Sequence, residues 1–265
     1  MLATSFSLKI RDPRARKKSR RAKRALERES LLRISHTGAS ELQVEIIPGF
    51  RRWLIDQTPD LGARWRKSLR WTPDDGGLNI EGLAWDPSRS ELLFGLRTPV
   101  IDGRPVVLRV HVRDIAGLWN LNNFEMRPPV FLDLPGDRLE RGIRTMGYDG
   151  WRKTTLIVTG NAVSQTEVPF ELYAWDGNPK GTVTRLEYVR FDPKFRVEGV
   201  APGTIAGRPA LVFVDDRGGY QVLWGDDPRL GDKDLAAVSP RLSALSADSE
   251  KPRAPKAEGR KRARR

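Results

Sequence analysis

The sequence predicts an all-β protein: a β-propeller-like chain of four-stranded antiparallel blades arranged in a partial or open ring. Three observations carry this reading. From about Leu78 onward, apolar runs of four to eight residues rich in Val, Leu, Phe and Trp alternate with Gly, Pro, Asp and Asn, the pattern of short strands joined by turns. No long amphipathic helix interrupts those runs. The same order of runs recurs at a spacing near 60 residues, and a repeat of that length made of successive strands marks stacked blades.

Taken in chain order, residues 1–37 form a basic tail that we expect to be mostly disordered. Residues 38–74 are a poorly assigned segment holding one candidate strand, ELQVEII at 41–47, and an apolar-basic stretch, FRRWLIDQTPDLGARWRKSLRW, that could supply part of a further blade. The propeller-like domain runs over 75–245. Its first repeat is NIEGLAWDPSRSELLFGLRTP at 79–99, followed by VVLRVHVRD at 106–114 and PPVFLDL at 128–134. The second is ERGIRTMGYDGWRKTTLIVTGNA at 140–162, followed by FELYAWDG at 170–177 and GTVTRLEYVRF at 181–191. The third is RVEGVAPGTIAGRPALVFVDDRG at 196–218, followed by YQVLWGDD at 220–227. Aligning Gly82, Gly142 and Gly199 spaces the copies by 60 and 57 residues. A single four-stranded sheet cannot cover both of its faces, so such units stack on one another. Two full blades and a shorter one fall below the usual four to eight; a β-sandwich of the same strands is the alternative architecture.

The net charge of +13 resembles a nucleic-acid signature until it is divided along the chain. Residues 1–30 carry 11 Lys/Arg against 3 Asp/Glu, residues 246–265 carry 8 against 3, and the stretch between is neutral. The excess therefore sits in two tails whose polarity and self-repulsion favour disorder. Weak, non-specific contact with polyanions is the partner chemistry they allow; plain solvated termini are the other reading. Cysteine is absent and the only histidines are His36 and His111, which excludes disulfide scaffolds, thiolate metal sites and three-histidine centres. No apolar run reaches the length of a membrane span, and the chain reads as a soluble, cytoplasmic protein.

The ordered series IEGLAWDP, ELLFGLRTP, RGIR, LIVTGNA, ELYAWDG and VEGVA with a following VFVDD resembles the bacterial domain-of-unknown-function family 3616, over roughly residues 75–227. The resemblance implies a β-propeller-like domain similar in style to phytase-like and esterase-like propellers, without an assigned activity. In lactonase-type and phytase-like propellers, similar acidic residues hold a metal.

In a propeller the first strand of each blade lines the axis. Glu81 and Glu198 take the same place in their repeats, and the glycine alignment puts Arg141 there in the middle repeat, with Arg144 three residues on. Arg97, in GLRTP, offers a planar guanidinium suited to a carboxylate or phosphate. These five residues are the ligand or ion-pair candidates. As a calcium site, Glu81 and Glu198 could be joined by Asn161, Asp215 and Asp216, since calcium takes six to eight oxygens. The opposite reading is an internal Glu–Arg network that neutralises the channel. His111, on an alternating strand, reads as a surface or packing residue. Two functions stay open: a binding or scaffold module, and a calcium-dependent propeller hydrolase acting on an ester, lactone or phosphoester.

Overall fold

The structure is a computed structural model of the chain and describes residues 2–5, 29–36, 41–71, 76–136, 139–163 and 168–224. It is all-β and open, built from four antiparallel sheets, none of which closes on itself. The N-terminal sheet holds β1 (Leu2–Ser5), β2 (Ser30–His36) and β3 (Leu42–Ile47) in that order. Strands thus occupy parts of the segment expected to be disordered; its residues 6–28, and the C-terminal tail, lie outside the described residues.

The stretch after β3 is a correction. Instead of blade strands it forms two short helices, α1 (Phe50–Gln57) and α2 (Ala63–Ser68). In FRRWLIDQ, Phe50 and Leu54 sit four residues apart and share one buried helical face, with Trp65 of α2 beside them, a spacing that belongs to a helix and cannot be served by a strand's period of two.

Three meander sheets follow. Blade 1 comprises β4 (Asn79–Asp86), β5 (Glu91–Thr98), β6 (Val106–Val112) and β7 (Phe124–Phe131). Blade 2 comprises β8 (Arg141–Asp149), β9 (Thr154–Asn161), β10 (Glu171–Trp175) and a three-residue β11 (Val183–Arg185), much shorter than the expected run at 181–191. Blade 3 has β12 (Val197–Ile205), β13 (Arg208–Asp215) and β14 (Tyr220–Trp224). Each strand pairs with its sequence neighbour, and β4 and β12 belong to different sheets.

The core lies between sheets, in layers. In β5, Leu92, Phe94 and Leu96 face α1 and α2, whereas Leu93 faces blade 2, where it meets Ile157, Tyr173 and Trp175. In β9, Leu156 and Val158 face blade 3 and pack with Val200, Leu211 and Phe213. A strand covered on both faces reads as a continuous apolar run, which is why ELLFGL and TLIV lack alternation. The turns repeat as well. Asp86 accepts from Ser88 N (2.9 Å) and from Arg89 Nη1 (2.8 Å), and Asp149 accepts from Trp151 N (3.0 Å) and from Arg152 Nη1 (2.6 Å). Both aspartates are buried, so the Asp-x-x-Arg pairing satisfies a carboxylate that closes the first hairpin of blades 1 and 2. No helix among the described residues is long and apolar enough to cross a membrane.

Candidate functional site

The first strands of the three blades share an irregularity that brings their charged residues together. In β4 the register shifts between Ile80 and Gly82, in β8 between Ile143 and Thr145, and in β12 between Val197 and Gly199. The extra residue at each β-bulge is Glu81, Arg144 and Glu198. A bulge re-aims a side chain that the regular pleat would direct elsewhere, and these three turn toward one another. β8 packs between β4 and β12, so its arginine is placed between the two glutamates.

The geometry follows from that placement. Arg144 Nη1 lies 3.1 Å from Glu81 Oε2, and Arg144 Nη2 lies 2.5 Å from Glu198 Oε1. From β5, Arg97 Nη1 donates to Glu81 Oε1 at 3.0 Å, and its Nε reaches the carbonyls of Asn161 (3.2 Å) and Ala162 (3.1 Å). Asn79 Nδ2 donates to the same Glu81 oxygen at 3.0 Å. Phe170 lies over the Arg144 guanidinium at 5.9 Å. Two glycines make room. A Cβ on Gly142 would strike the Arg97 carbonyl oxygen, and one on Gly160 would lie 2.9 Å from the Phe170 ring and 3.1 Å from Arg144 Cγ.

The cluster is graded in exposure. The Arg144 side chain is 8% exposed and that of Arg97 17%, whereas Glu198 reaches 37%. Burial pushes the Glu198 carboxyl above its ordinary range; Arg144 opposes this, while Glu81 and Asp216 add negative charge that reinforces it. Its second oxygen has no hydrogen-bond partner among the described residues. Arg144 Nε is buried and also lacks one.

Of the five charged candidates, the structure gathers Glu81, Arg97, Arg144 and Glu198. Arg141 is the exception. The glycine alignment sets it level with Glu81, but the bulges shift the register by three residues and put Arg144 there. Arg141 instead donates to the Pro169 carbonyl (2.7 Å) and pairs with Glu171 (3.1 Å). The proposed calcium set does not assemble either. Among the described residues no group of three or more His, Asp or Glu is placed to hold a metal ion. Glu81 and Glu198 meet through a guanidinium. Asn161 donates to the Val163 carbonyl, and Asp215 Oδ1 accepts from Arg217 N (2.9 Å) and Gly219 N (2.6 Å), closing its own turn. Asp216 acts on Glu198 through its charge. His111 Nδ1 lies 3.2 Å from the Arg89 carbonyl.

A second polar cluster escaped the sequence reading. Glu171 lies 3.1 Å from Arg141 and 2.5 Å from Arg185, and accepts from the Tyr173 hydroxyl at 2.5 Å. Burial, and then the adjoining Glu171, push the Tyr173 phenol well up. Beside it lies an open cleft of about 470 Å³ lined by Phe170, Glu171, Arg185, Arg190 and Phe191 among others. A glutamate opening the apolar strand ELYAW was the available signal, since such a charge requires a partner when buried.

Comparison with known proteins gives one result. The family model described as "Protein of unknown function (DUF3616)" matches residues 65–196. No curated protein matches the chain.

Proposed function

Residues 65–196 place this chain in the DUF3616 family, and from that premise we propose that it is a binding or scaffold module whose axial carboxylates receive a cationic group, the ammonium or guanidinium of a partner. The observation that carries this is the state of Glu198. One of its oxygens is anchored by Arg144, the other has no partner among the described residues, and Asp216 adds charge beside it. Arg144, Arg97 and Glu81 are the more buried members of the cluster and Glu198 is its most exposed one, so the surface offered to solvent is an acceptor. Arg144 and Arg97 act as positioning residues, fixing the carboxylates that would otherwise repel one another. The Glu198 pKa is raised chiefly by burial and further by the charges of Glu81 and Asp216, and an incoming cation would favour its ionised form.

The test is titration of a fluorescent Lys/Arg-rich peptide and an acidic control peptide, with calcium in a separate arm. We expect binding of the basic peptide alone, weakened by salt, and a loss of at least about tenfold in Glu198→Gln, since a tenfold change corresponds to about 1.4 kcal/mol, within the range of a charge-assisted hydrogen bond. Equal binding of both peptides would contradict the reading. A calcium-induced rise in melting temperature that Glu198→Gln abolishes would replace it with the metal-dependent one.

A further inference from the structure

We propose that two copies of this chain assemble head to tail, the outer face of blade 3 in one copy packing on the outer face of the N-terminal sheet in the other, with two equivalent contacts closing a ring.

The repeat itself shows what blade 3 lacks. In blade 1 the residues after the bulge, Gly82 and Ala84, accept the next blade: a Cβ on Gly82 would lie 2.8 Å from Met146 Cγ, and one on Gly95 beside it 2.5 Å from Ile143 Cγ2. In blade 2 the corresponding stretch contains Gly147, where a Cβ would lie 2.8 Å from the Val200 carbonyl oxygen and 3.1 Å from Pro202. The equivalent residues of blade 3 are Gly199, Ala201 and Gly203. Cross-strand pairing sets them on one face with Val212, Val214, Tyr220 and Val222. On that face Ala201 and Gly203 are exposed, Val214 is 44% and Tyr220 62% exposed. At one end of this face Arg208 lies over the Trp224 ring at 4.4 Å and Ala210 is buried; the remainder, around Ala201, Gly203, Val214 and Tyr220, is exposed and shaped to receive a sheet.

A matching surface stands at the other end of the arc. In the N-terminal sheet Leu31 and Ile47 face the core, while the pairs Leu32–Ile46 and Ile34–Val44, with Leu42, lie on the opposite face. Leu42 is 60%, Val44 48% and Ile46 55% exposed. Among the described residues there are eleven exposed large hydrophobics, and six of them, Leu42, Val44, Ile46, Ile205, Val214 and Tyr220, belong to these two end sheets. One face is bulky and branched and the other carries glycines along its inner strand, so the two are complementary to each other and neither to itself. They lie at opposite ends of one molecule, and a second copy brings them together.

Area sets the number of contacts. Three strands about 4.8 Å apart and about five residues long give a face of about 250 Å². A single contact of two such faces is too small for a specific complex, whereas a ring closed by two covers about 1,000 Å², the lower bound for a biological interface. Heterologous contacts of this kind are stable against polymer growth when the ring closes.

The absence of cysteine makes the test direct. Val44→Cys and Val214→Cys chains carrying tags of different size are mixed and treated with a short bismaleimide. We expect the crosslinked product to be the mixed pair, and light scattering of the unmodified protein to give twice the chain mass at micromolar concentration. Val214→Glu should halve that mass with an unchanged circular-dichroism spectrum; Val44→Glu, on the other face, should do the same and serves if the first variant misfolds. Single-chain mass at every concentration, as when residues 225–265 of the same chain cover the face, overturns the proposal. So do crosslinked pairs of one variant with itself, or a double mass that both glutamate variants retain.

Discussion

Arg144 is to β8 what Glu81 is to β4: each is the extra residue of a β-bulge at the same place in its blade, and the two meet with Arg144 Nη1 3.1 Å from Glu81 Oε2. The opposite charges at equivalent positions are what let three first strands converge. Two glutamates alone would repel, and an arginine alone would lack a counter-ion in a site where water is scarce.

Removing the shared cation should therefore cost more than removing either anion. We expect Arg144→Leu to lose about 1–2 kcal/mol, less than the cost of a fully buried orphaned charge because Glu81 keeps Arg97 and Glu198 is partly solvated, and Arg144→Lys to lose less because an ammonium can still reach one carboxylate. Urea denaturation measures both. A loss below about 0.5 kcal/mol in Arg144→Leu, the level of an ordinary surface substitution, would show that the cluster is hydrated rather than buried.

Glu198 should show the opposite sign to a stabilising carboxylate. Its pKa is raised in the folded protein, chiefly by burial, so the folded chain binds its proton more tightly than the unfolded chain does. The resulting stabilisation is fully present below the unfolded value and is lost as pH rises through the folded one. We expect Glu198→Gln to remove that pH dependence and to leave the melting temperature at neutral pH unchanged or higher. A lower melting temperature at neutral pH would mean that the ionised form is held favourably.

Gly142 is required by the close approach of β5. An added Cβ would run into the Arg97 carbonyl oxygen, which is backbone and cannot rotate away. Gly142→Ala should cost about 2 kcal/mol, typical of overpacking, and displace Arg97 from Glu81, so that basic-peptide affinity falls together with stability. Gly150→Ala, where a Cβ meets nothing within 4 Å, is the control, and equal effects of the two would contradict the argument.

Much of this was legible in the sequence because it is written in local pattern. The strand order, the pairing of IEGLAWDP with ELLFGLRTP, and the equivalence of Glu81 and Glu198 followed from runs and spacing. Arg144 was named, yet its neighbour Arg141 was set in the equivalent position, because the alignment rested on glycine. Gly82 and Gly199 follow a bulge, whereas Gly142 precedes one and exists for Arg97; Thr145 is the residue that takes the glycine's place. A bulge leaves no mark in a single sequence. The helix over Phe50–Gln57 was readable in the spacing of Phe50 and Leu54, but the arginines between them mask it. Glu171 itself stood out in ELYAW, but its partners were not readable, since Arg141 and Arg185 come from opposite edges of blade 2.

The most direct measurement of the cation-binding account is the carboxyl signal of Glu198 itself, assigned by comparison with Glu198→Gln and followed by carbon-13 NMR through a pH titration with and without the Lys/Arg-rich peptide. We expect Glu198 in the free protein to titrate above the ordinary glutamate value and to shift downward when the peptide is bound, because a cation favours the ionised form. A Glu198 signal that is unmoved at saturating peptide would contradict the account.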